Sequence, residues 1–255
     1  RARVGRAAAA VRAADPADTG AWTADRDLLR GERATRLDSA LYVELRNRVP
    51  ASRFKDFVTD PASVASSLRR PMPEKPYRAT RLGTLFHSWV EERAGVGGSF
   101  EELDTLATES DADRDQFDAA GLARLQATFE KSRWASLKPI EVEREIHLVL
   151  DGQVIICKID AVYALSGAGG ASADEAQRYE IVDWKTGKSP KDEGELEEKQ
   201  FQLALYRLAY AQWKGFDPDL IDAVFYYVAD DRIIRPDHLY DERELIARWR
   251  EAIGS

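Results

Sequence analysis

Ile181-Val182-Asp183-Trp184-Lys185-Thr186-Gly187-Lys188 is the stretch whose reading decides the fold. Taken as a β-strand it alternates, so Tyr179, Ile181, Asp183 and Lys185 share one face while Val182 and Trp184 point the other way. A carboxylate and an ammonium then stand side by side, about 7 Å apart along the backbone. Upstream, Ile155-Ile156-Cys157-Lys158-Ile159-Asp160-Ala161-Val162-Tyr163 is a second β-branched run that carries one acid in apolar surroundings. An acid within a strand requires a partner, because an unpaired buried charge is very costly. Two strand acids and a lysine at Asp-x-Lys spacing suit a divalent metal bridged by carboxylates, with the lysine beside the reacting oxygen.

A chain of 255 residues can form one large domain, or a domain with an arm, around a sizeable core. It begins Arg1-Ala2-Arg3 without methionine and is expected to be a fragment of something longer. Its apolar runs fall short of the roughly 20 residues that cross a bilayer, and no signal peptide is visible. The single cysteine, Cys157, excludes an intrachain disulfide and any four-cysteine zinc or iron–sulfur site made by this chain alone. A soluble, cytoplasmic protein with no membrane partner is expected. The net charge of −8 argues at first sight against nucleic acid, which is bound largely through Lys and Arg on phosphates. The charge is unevenly placed, however. Residues 1–12 are basic, Arg69, Arg70, Lys75, Arg78 and Arg81 cluster before a helix, and acids collect in 101–118 and 192–198. Net charge therefore bears on solubility and steering and leaves room for a local phosphate track.

Residues 1–50 are rich in Ala and Arg, broken at Asp15-Pro16 and Gly20, and helical again around Trp22–Leu29 and Leu37–Leu45. Val49-Pro50 ends this arm. Ser52 is expected to cap a short helix through Val58, and Asp60-Pro61 to open another. The segment Pro71-Met72-Pro73-Glu74-Lys75-Pro76 reads as an exposed connector. From Arg81 to Arg93, Leu82, Leu85, Phe86, Trp89 and Val90 form the apolar stripe of a helix, with Gly83 and His87 one turn apart on one side and Glu91 a turn further. A glycine inside a helix costs about 1 kcal/mol against alanine, so Gly83 signals close approach of a backbone or a ligand. His87 is either a core histidine bonded to a carbonyl or a metal ligand.

After the Gly97-Gly98 break and the acidic run, a helix is expected over Ala119–Trp134, then a hairpin of Ile140–Leu150 and Val154–Tyr163 turning at Asp151-Gly152. Residues 166–177 form a Gly/Ala/Ser loop. Beyond the 179–185 strand, a helix starting near Gly194 places Phe201, Leu205 and Leu208 on its core face and Gln202, Tyr206 and Tyr210 beside it. Ile221–Ala229 is a further strand, an irregular stretch follows to Pro236, and Asp241–Ile253 closes as a helix. Thr186-Gly187-Lys188-Ser189 is not the end of a phosphate-binding loop, because Val182 stands where that motif needs glycine. Cys157, in a strand core, reads as inert filler.

In chain order the chemistry-bearing residues are Gly83-x-x-x-His87, Glu143, Lys158-Ile159-Asp160, Asp183-Trp184-Lys185-Thr186-Gly187 and Gln202-x-x-x-Tyr206. This set resembles the RecB-type branch of the PD-(D/E)xK nucleases over about residues 50–255. More narrowly, Arg70-Pro71-Met72-Pro73, the run Leu82–Glu91, Gln202–Arg207 and Phe225–Ala229 are similar to the C-terminal nuclease domain of actinobacterial helicase–nucleases of the AdnAB kind. The resemblance implies an α/β fold, a central mixed β-sheet flanked by helices in a restriction-endonuclease-like core, with an N-terminal helical arm. Residues 51–255 would be the nuclease domain and 1–50 the connector from a UvrD-like motor.

It further implies a Mg²⁺- or Mn²⁺-dependent deoxyribonuclease, an exonuclease that prefers single strands, lacks sequence preference and serves double-strand-break resection and repair. Asp160 and Asp183 would bind the metal, His87 would be the third ligand, and the backbone carbonyl of Trp184 would complete the set. Lys185 would place the attacking water and offset developing charge, and Gln202 and Tyr206 would orient the substrate backbone or Lys185. Glu143 either reaches the metal through water or accepts a hydrogen bond from one of its ligands. DNA, a helicase motor of the same polypeptide and a second helicase–nuclease subunit are the implied partners. Cys157 stands where the family usually has glycine, which removes no ligand. Relatives carry a four-cysteine iron–sulfur staple whose first cysteine would fall near Asp60-Pro61, so no iron–sulfur cluster is expected here. The competing reading is the same fold kept as a catalytically inactive module for DNA holding or subunit docking; the presence of Asp160, Asp183 and Lys185 favours the enzyme.

Overall fold

The computed structural model describes residues 2–13, 23–37, 48–71, 78–95, 112–165, 177–190 and 192–254. Several expectations lie outside them: the break at Asp15-Pro16 and Gly20, the helix expected around Leu37–Leu45 past residue 37, the connector residues 72–76, the Gly97-Gly98 break, most of the acidic run 101–118 and the loop 166–176. The chain divides into two compact units, Arg1–Val43 and Glu44–Ser255. The first contains helices α1 (Ala2–Ala13) and α2 (Thr23–Leu37).

The second opens with a three-residue strand, β1 (Arg48–Pro50), which alternation in the sequence does not reveal. Helix α3 (Ala51–Thr59) follows, with Pro50 in the N-cap position and no side-chain cap, so Ser52 does not fill the capping role expected of it. The helix begins at Ala51, so Ser52 falls inside its first turn and cannot occupy the N-cap. Asp60 does cap α4 (Pro61–Arg69), accepting from the Ser63 amide. Helix α5 (Arg78–Ala94) contains Gly83 and His87. Helix α6 (Ala112–Phe129) starts earlier than its apolar pattern suggests and stops short of Trp134, which lies in a run of turns. The expected hairpin is β2 (Glu141–Leu150) and β3 (Gln153–Leu165), and β4 (Arg178–Lys185) is the strand of the Asp-x-Lys pair. Helix α7 (Glu193–Lys214) leads to β5 (Ile221–Tyr227), a short β6 (Arg232–Ile234) within the stretch expected to be irregular, and α8 (Glu242–Ile253) behind an Asp241–Glu244 capping box.

The described strands form one mixed sheet in the order β1-β3-β4-β5-β6, with β2 paired to β3. The β4–β5 and β1–β3 pairs are parallel, and β2–β3, β3–β4 and β5–β6 are antiparallel. Parallel β4 and β5 need a long crossover, which α7 supplies. On one face α3, α7 and α8 bury Phe54, Leu205, Tyr210 and Trp249 against Ile155, Cys157, Ile181 and Phe225. On the other face, Phe86 and Val90 of α5 and Leu125 and Phe129 of α6 pack on Ala161, Val182, Trp184 and Tyr226. Both faces are covered, which is why β4, between its terminal Arg178 and Lys185, and β5 read as nearly continuous apolar runs broken by Glu180, Asp183 and Asp222.

The alternation expected of Asp183 and Lys185 holds: Ile181 joins the α7 side, Val182 and Trp184 the α5 side. Strand β3 behaves differently. Cys157 and Ile159 face α7, then Ala161 and Tyr163 face α5, so the period of two is broken at Asp160. Opposite it, Val142 pairs with Ala161 and Arg144 with Ile159, which leaves Glu143 across from Asp160, with φ of +45°. A left-handed conformation is costly for a side chain other than glycine, and strain of this kind concentrates where a structure must aim functional groups.

Candidate active site

Past the Ala161–Val182 pair β3 and β4 separate, while β4 stays paired to β5 as far as Lys185 and Tyr227. The Asp160 carboxylate bridges this gap: its Oδ2 accepts from the Trp184 amide at 2.8 Å. A β4 donor that would have lost its ladder partner thus binds an acid. Helix α5 brings His87 to the same point. Its Nδ1 lies 2.8 Å from Glu143 Oε1 and 3.7 Å from Asp160 Oδ1, and its Nε2 lies 3.3 Å from the Trp184 carbonyl. His87, Glu143 and Asp160 offer ligand atoms that all lie within 4.8 Å of one another. The close approach signalled by Gly83 comes from the end of β4, where a Cβ on residue 83 would lie 3.2 Å from Thr186 Oγ1. A Cβ there would require the Thr186 side chain to give by a few tenths of an ångström.

Asp183 is not one of that trio. It faces α7, where Oδ1 accepts from Gln202 Nε2 at 2.9 Å and Oδ2 lies 2.6 Å from Lys185 Nζ. That ion pair is close but poorly aimed, and Oδ2 is buried without an aligned hydrogen-bond donor. Gln202 Nε2 also donates to the Tyr206 hydroxyl at 2.7 Å, and Lys185 Nζ donates to Gln202 Oε1 at 3.4 Å. The i,i+4 spacing of Gln202 and Tyr206 on α7 makes this chain possible. Glu143, the member placed least firmly by the sequence, lies inside the cluster, and its second oxygen pairs with Lys158. Tyr210, on the same helical face as Gln202 and Tyr206, lies away from this network, against Tyr179 and Trp213.

The charges interact strongly. Burial pulls the His87 pKa down, but the hydrogen bond to Glu143 and the charges of Asp160, Glu143 and Asp183 outweigh it and carry the imidazole up to about 9. Burial and the Asp183 charge raise Asp160 to about 8, against the opposing pull of His87 and Lys185. Burial works against the Lys185 ammonium, but Asp183 and Asp160 raise its pKa above the ordinary lysine value. Burial would raise Glu143, yet hydrogen bonds from His87 and Lys158 hold it below the usual carboxylate range. Two carboxylates kept close together against burial call for a cation between or beside them. One imidazole with carboxylate oxygens is a donor set that suits Mg²⁺ and, more readily, Mn²⁺. The unaligned Asp183 Oδ2 is a further oxygen available to such an ion, so the residues fit a divalent cation.

Two groups escaped the sequence reading. Glu180, on the α5 face of β4, is 1% exposed; its Oε1 accepts from Arg133 at 2.6 Å and Arg235 at 2.7 Å, and its Oε2 from Trp134 Nε1 at 3.0 Å. The rule that an acid within a strand needs a partner applies to Glu180 as directly as to Asp183. Tyr227, the β5 partner of Lys185, lies in the run Phe225–Ala229 that carries the narrower resemblance, but the sequence reading gives it no role.

The family described as the PD-(D/E)XK nuclease superfamily matches residues 61–255. Nothing among curated proteins matches the chain. Solved structures similar to it include a crystal structure from Eubacterium rectale described as a candidate exonuclease, 18% identical, covering 84% of this chain and 88% of that one with a TM-score of 0.48. Another is the crystal structure of SSO0001, 16% identical, covering 90% of this chain and 85% of that one with a TM-score of 0.38. Among the described residues no helix is long and apolar enough to cross a membrane.

Proposed function

The chain belongs to the PD-(D/E)XK nuclease superfamily, and from that premise we propose that it is a Mg²⁺- or Mn²⁺-dependent deoxyribonuclease that degrades single-stranded DNA without sequence preference. The observation that carries this reading is the convergence of His87, Glu143 and Asp160 beside an Asp183–Lys185 pair separated by 2.6 Å. His87, Asp160, Asp183 and the Trp184 carbonyl would hold the metal. Glu143 fixes the imidazole through Nδ1, leaving Nε2 toward the Trp184 carbonyl. The chemistry such a cation supplies when bound is neutralisation of phosphoryl charge and acidification of water.

The remaining work falls to the protein's own groups. Lys185 stays protonated because Asp183 and Asp160 stabilise its charge. It therefore acts as a positioned cation that orients the attacking water and offsets charge on the phosphoryl oxygens, not as the base. Gln202 holds Asp183 Oδ1 and the Tyr206 hydroxyl together, which keeps the acid aligned with Lys185. Gln202 and Lys185, side chains of kinds that can read a base edge, are engaged here with Asp183, Tyr206 and each other, which supports cleavage of any sequence.

On the finer likeness to the RecB-type, AdnAB-like domains, this nuclease would serve a helicase–nuclease for double-strand-break resection, acting in the cytoplasm on strands released by a motor of the same polypeptide and alongside a second subunit. Residues 1–50 would be the connector from that motor, a reading supported by the exposure of Leu28 and Leu29 on α2. The test is degradation of end-labelled single and double strands with and without metal. Asp183→Ala and Lys185→Ala should lower metal-dependent degradation of single strands at least 100-fold, the scale of a lost electrostatic contact at the reacting group, with unchanged circular dichroism. Full activity in Asp183→Ala would overturn the assignment.

A further inference from the structure

Beside the catalytic pair lies a cavity of about 310 Å³ between β4, α3 and α7, lined by Lys55, Lys185, Lys188, Lys199, Gln202 and Tyr227 among others. Its size is at the small end of ligand sites. Four lysines meet here on a chain whose net charge is −8; Lys185, Lys199 and Lys55 have carboxylate neighbours, Asp183 and Glu195 at 2.6 Å and Glu198 at 4.0 Å, which leaves the ammonium groups one in excess of these three acids. Such a local excess of cations on an acidic molecule concentrates anions at that spot.

The second observation is independent of the lysines. Tyr227 is 2% exposed, and its hydroxyl has no hydrogen-bond partner. Buried hydroxyls are nearly always bonded, because burial without a partner forfeits their hydration. Tyr227 is the cross-strand neighbour of Lys185, and the Lys199 ammonium lies 5.7 Å from the centre of its ring. An unused donor, framed by ammonium groups and next to the lysine that faces the reacting phosphate, calls for an anion with several acceptor oxygens. We propose that this cavity is a subsite for a backbone phosphate of the substrate strand, adjacent to the one being cleaved, held by the Tyr227 hydroxyl with Lys55, Lys188 and Lys199. The inference rests on the nuclease reading for the identity of the strand, and assigns Tyr227 as a binding residue outside the Asp-x-Lys and Gln-x-x-x-Tyr motifs.

The experiment measures binding without catalysis: fluorescence anisotropy of a labelled single-stranded oligonucleotide in EDTA, between about 50 and 200 mM salt. Tyr227→Phe should weaken binding about tenfold, the scale of a hydrogen bond to a charged group. Its melting temperature should stay level or rise, since removing an unpartnered buried hydroxyl relieves a cost. The double variant Lys55→Gln/Lys199→Gln should lessen the slope of log affinity against log salt by up to about 0.7, the value for one phosphate contact on a single strand. Parent-like affinity in Tyr227→Phe, a parent-like salt slope in the double variant, or failure of the parent to bind would each overturn the subsite. Hydrolysis is scored separately: a parent that binds as described but never cleaves refutes the nuclease reading and leaves the phosphate subsite standing.

Discussion

Each ring nitrogen of His87 faces an acceptor, the Glu143 carboxylate at Nδ1 and the Trp184 carbonyl at Nε2. Only the doubly protonated ring can donate to both, and burial, which opposes that charge, is outweighed by the Glu143 hydrogen bond and the charges of Asp160, Glu143 and Asp183, which carry the imidazole up to about 9. Asp160, raised to about 8 chiefly by burial, shares the same charge balance. A divalent cation and protons therefore compete for the same atoms. Acidification should weaken metal binding, and affinity should climb with pH until it levels near 9, where His87 loses its proton. Titration of Mn²⁺ by calorimetry near neutral pH, in two buffers of different ionisation enthalpy, should report release of about one to two protons per ion. Binding without proton release would show that His87 and Asp160 are not ligands.

Strand β4 serves two networks from its two faces. Asp183 faces α7 and the catalytic groups, whereas Glu180 faces the other way and ties Arg133 and Trp134, which follow α6, to Arg235, which follows β6. The arginines are half-exposed and regain hydration if the acid is removed, but the Trp134 N–H is buried. Glu180→Ala should therefore cost about 2–3 kcal/mol in urea unfolding, below the full penalty for breaking a buried pair. Glu180→Gln should cost less, because it keeps an acceptor for Trp134; equal losses would mean that the charge and not this hydrogen bond is what matters.

Sequence patterning was sufficient for the elements that bury a long apolar face: β2 to β5, α5, α7 and α8 follow from periods of two and 3.6, and the residues singled out in chain order fall into two groups, His87 with Asp160 and Asp183 with Lys185 and Gln202. It was insufficient wherever backbone pairing alone makes the element. Arg48–Pro50 and Arg232–Ile234 are three residues each, too short to show alternation, and exist as strands through their partners β3 and β5. The left-handed Glu143 is a second limit, since one of three glutamates at alternate positions, Glu141, Glu143 and Glu145, carries no mark of the conformation that turns it toward His87.

At the scale of the whole molecule, helices on both sides of one sheet divide the Glu44–Ser255 unit into two apolar layers, and the site lies where β3 departs from β4 between them. Cys157 sits in the α7 layer, wholly buried, its thiol directed at the Leu205 carbonyl and pushed up to about 12 by burial. A lone thiol sealed beneath α7 turns the protein into its own opening gauge. A thiol-reactive dye should stay colourless with the native chain and react only when that helix lifts from the sheet, so the labelling rate counts the open fraction. If labelling quickens with urea as steeply as global unfolding, α7 and the sheet part only when everything does; a shallower rise would expose a smaller excursion that loosens Gln202 and Tyr206 while the remainder stays folded.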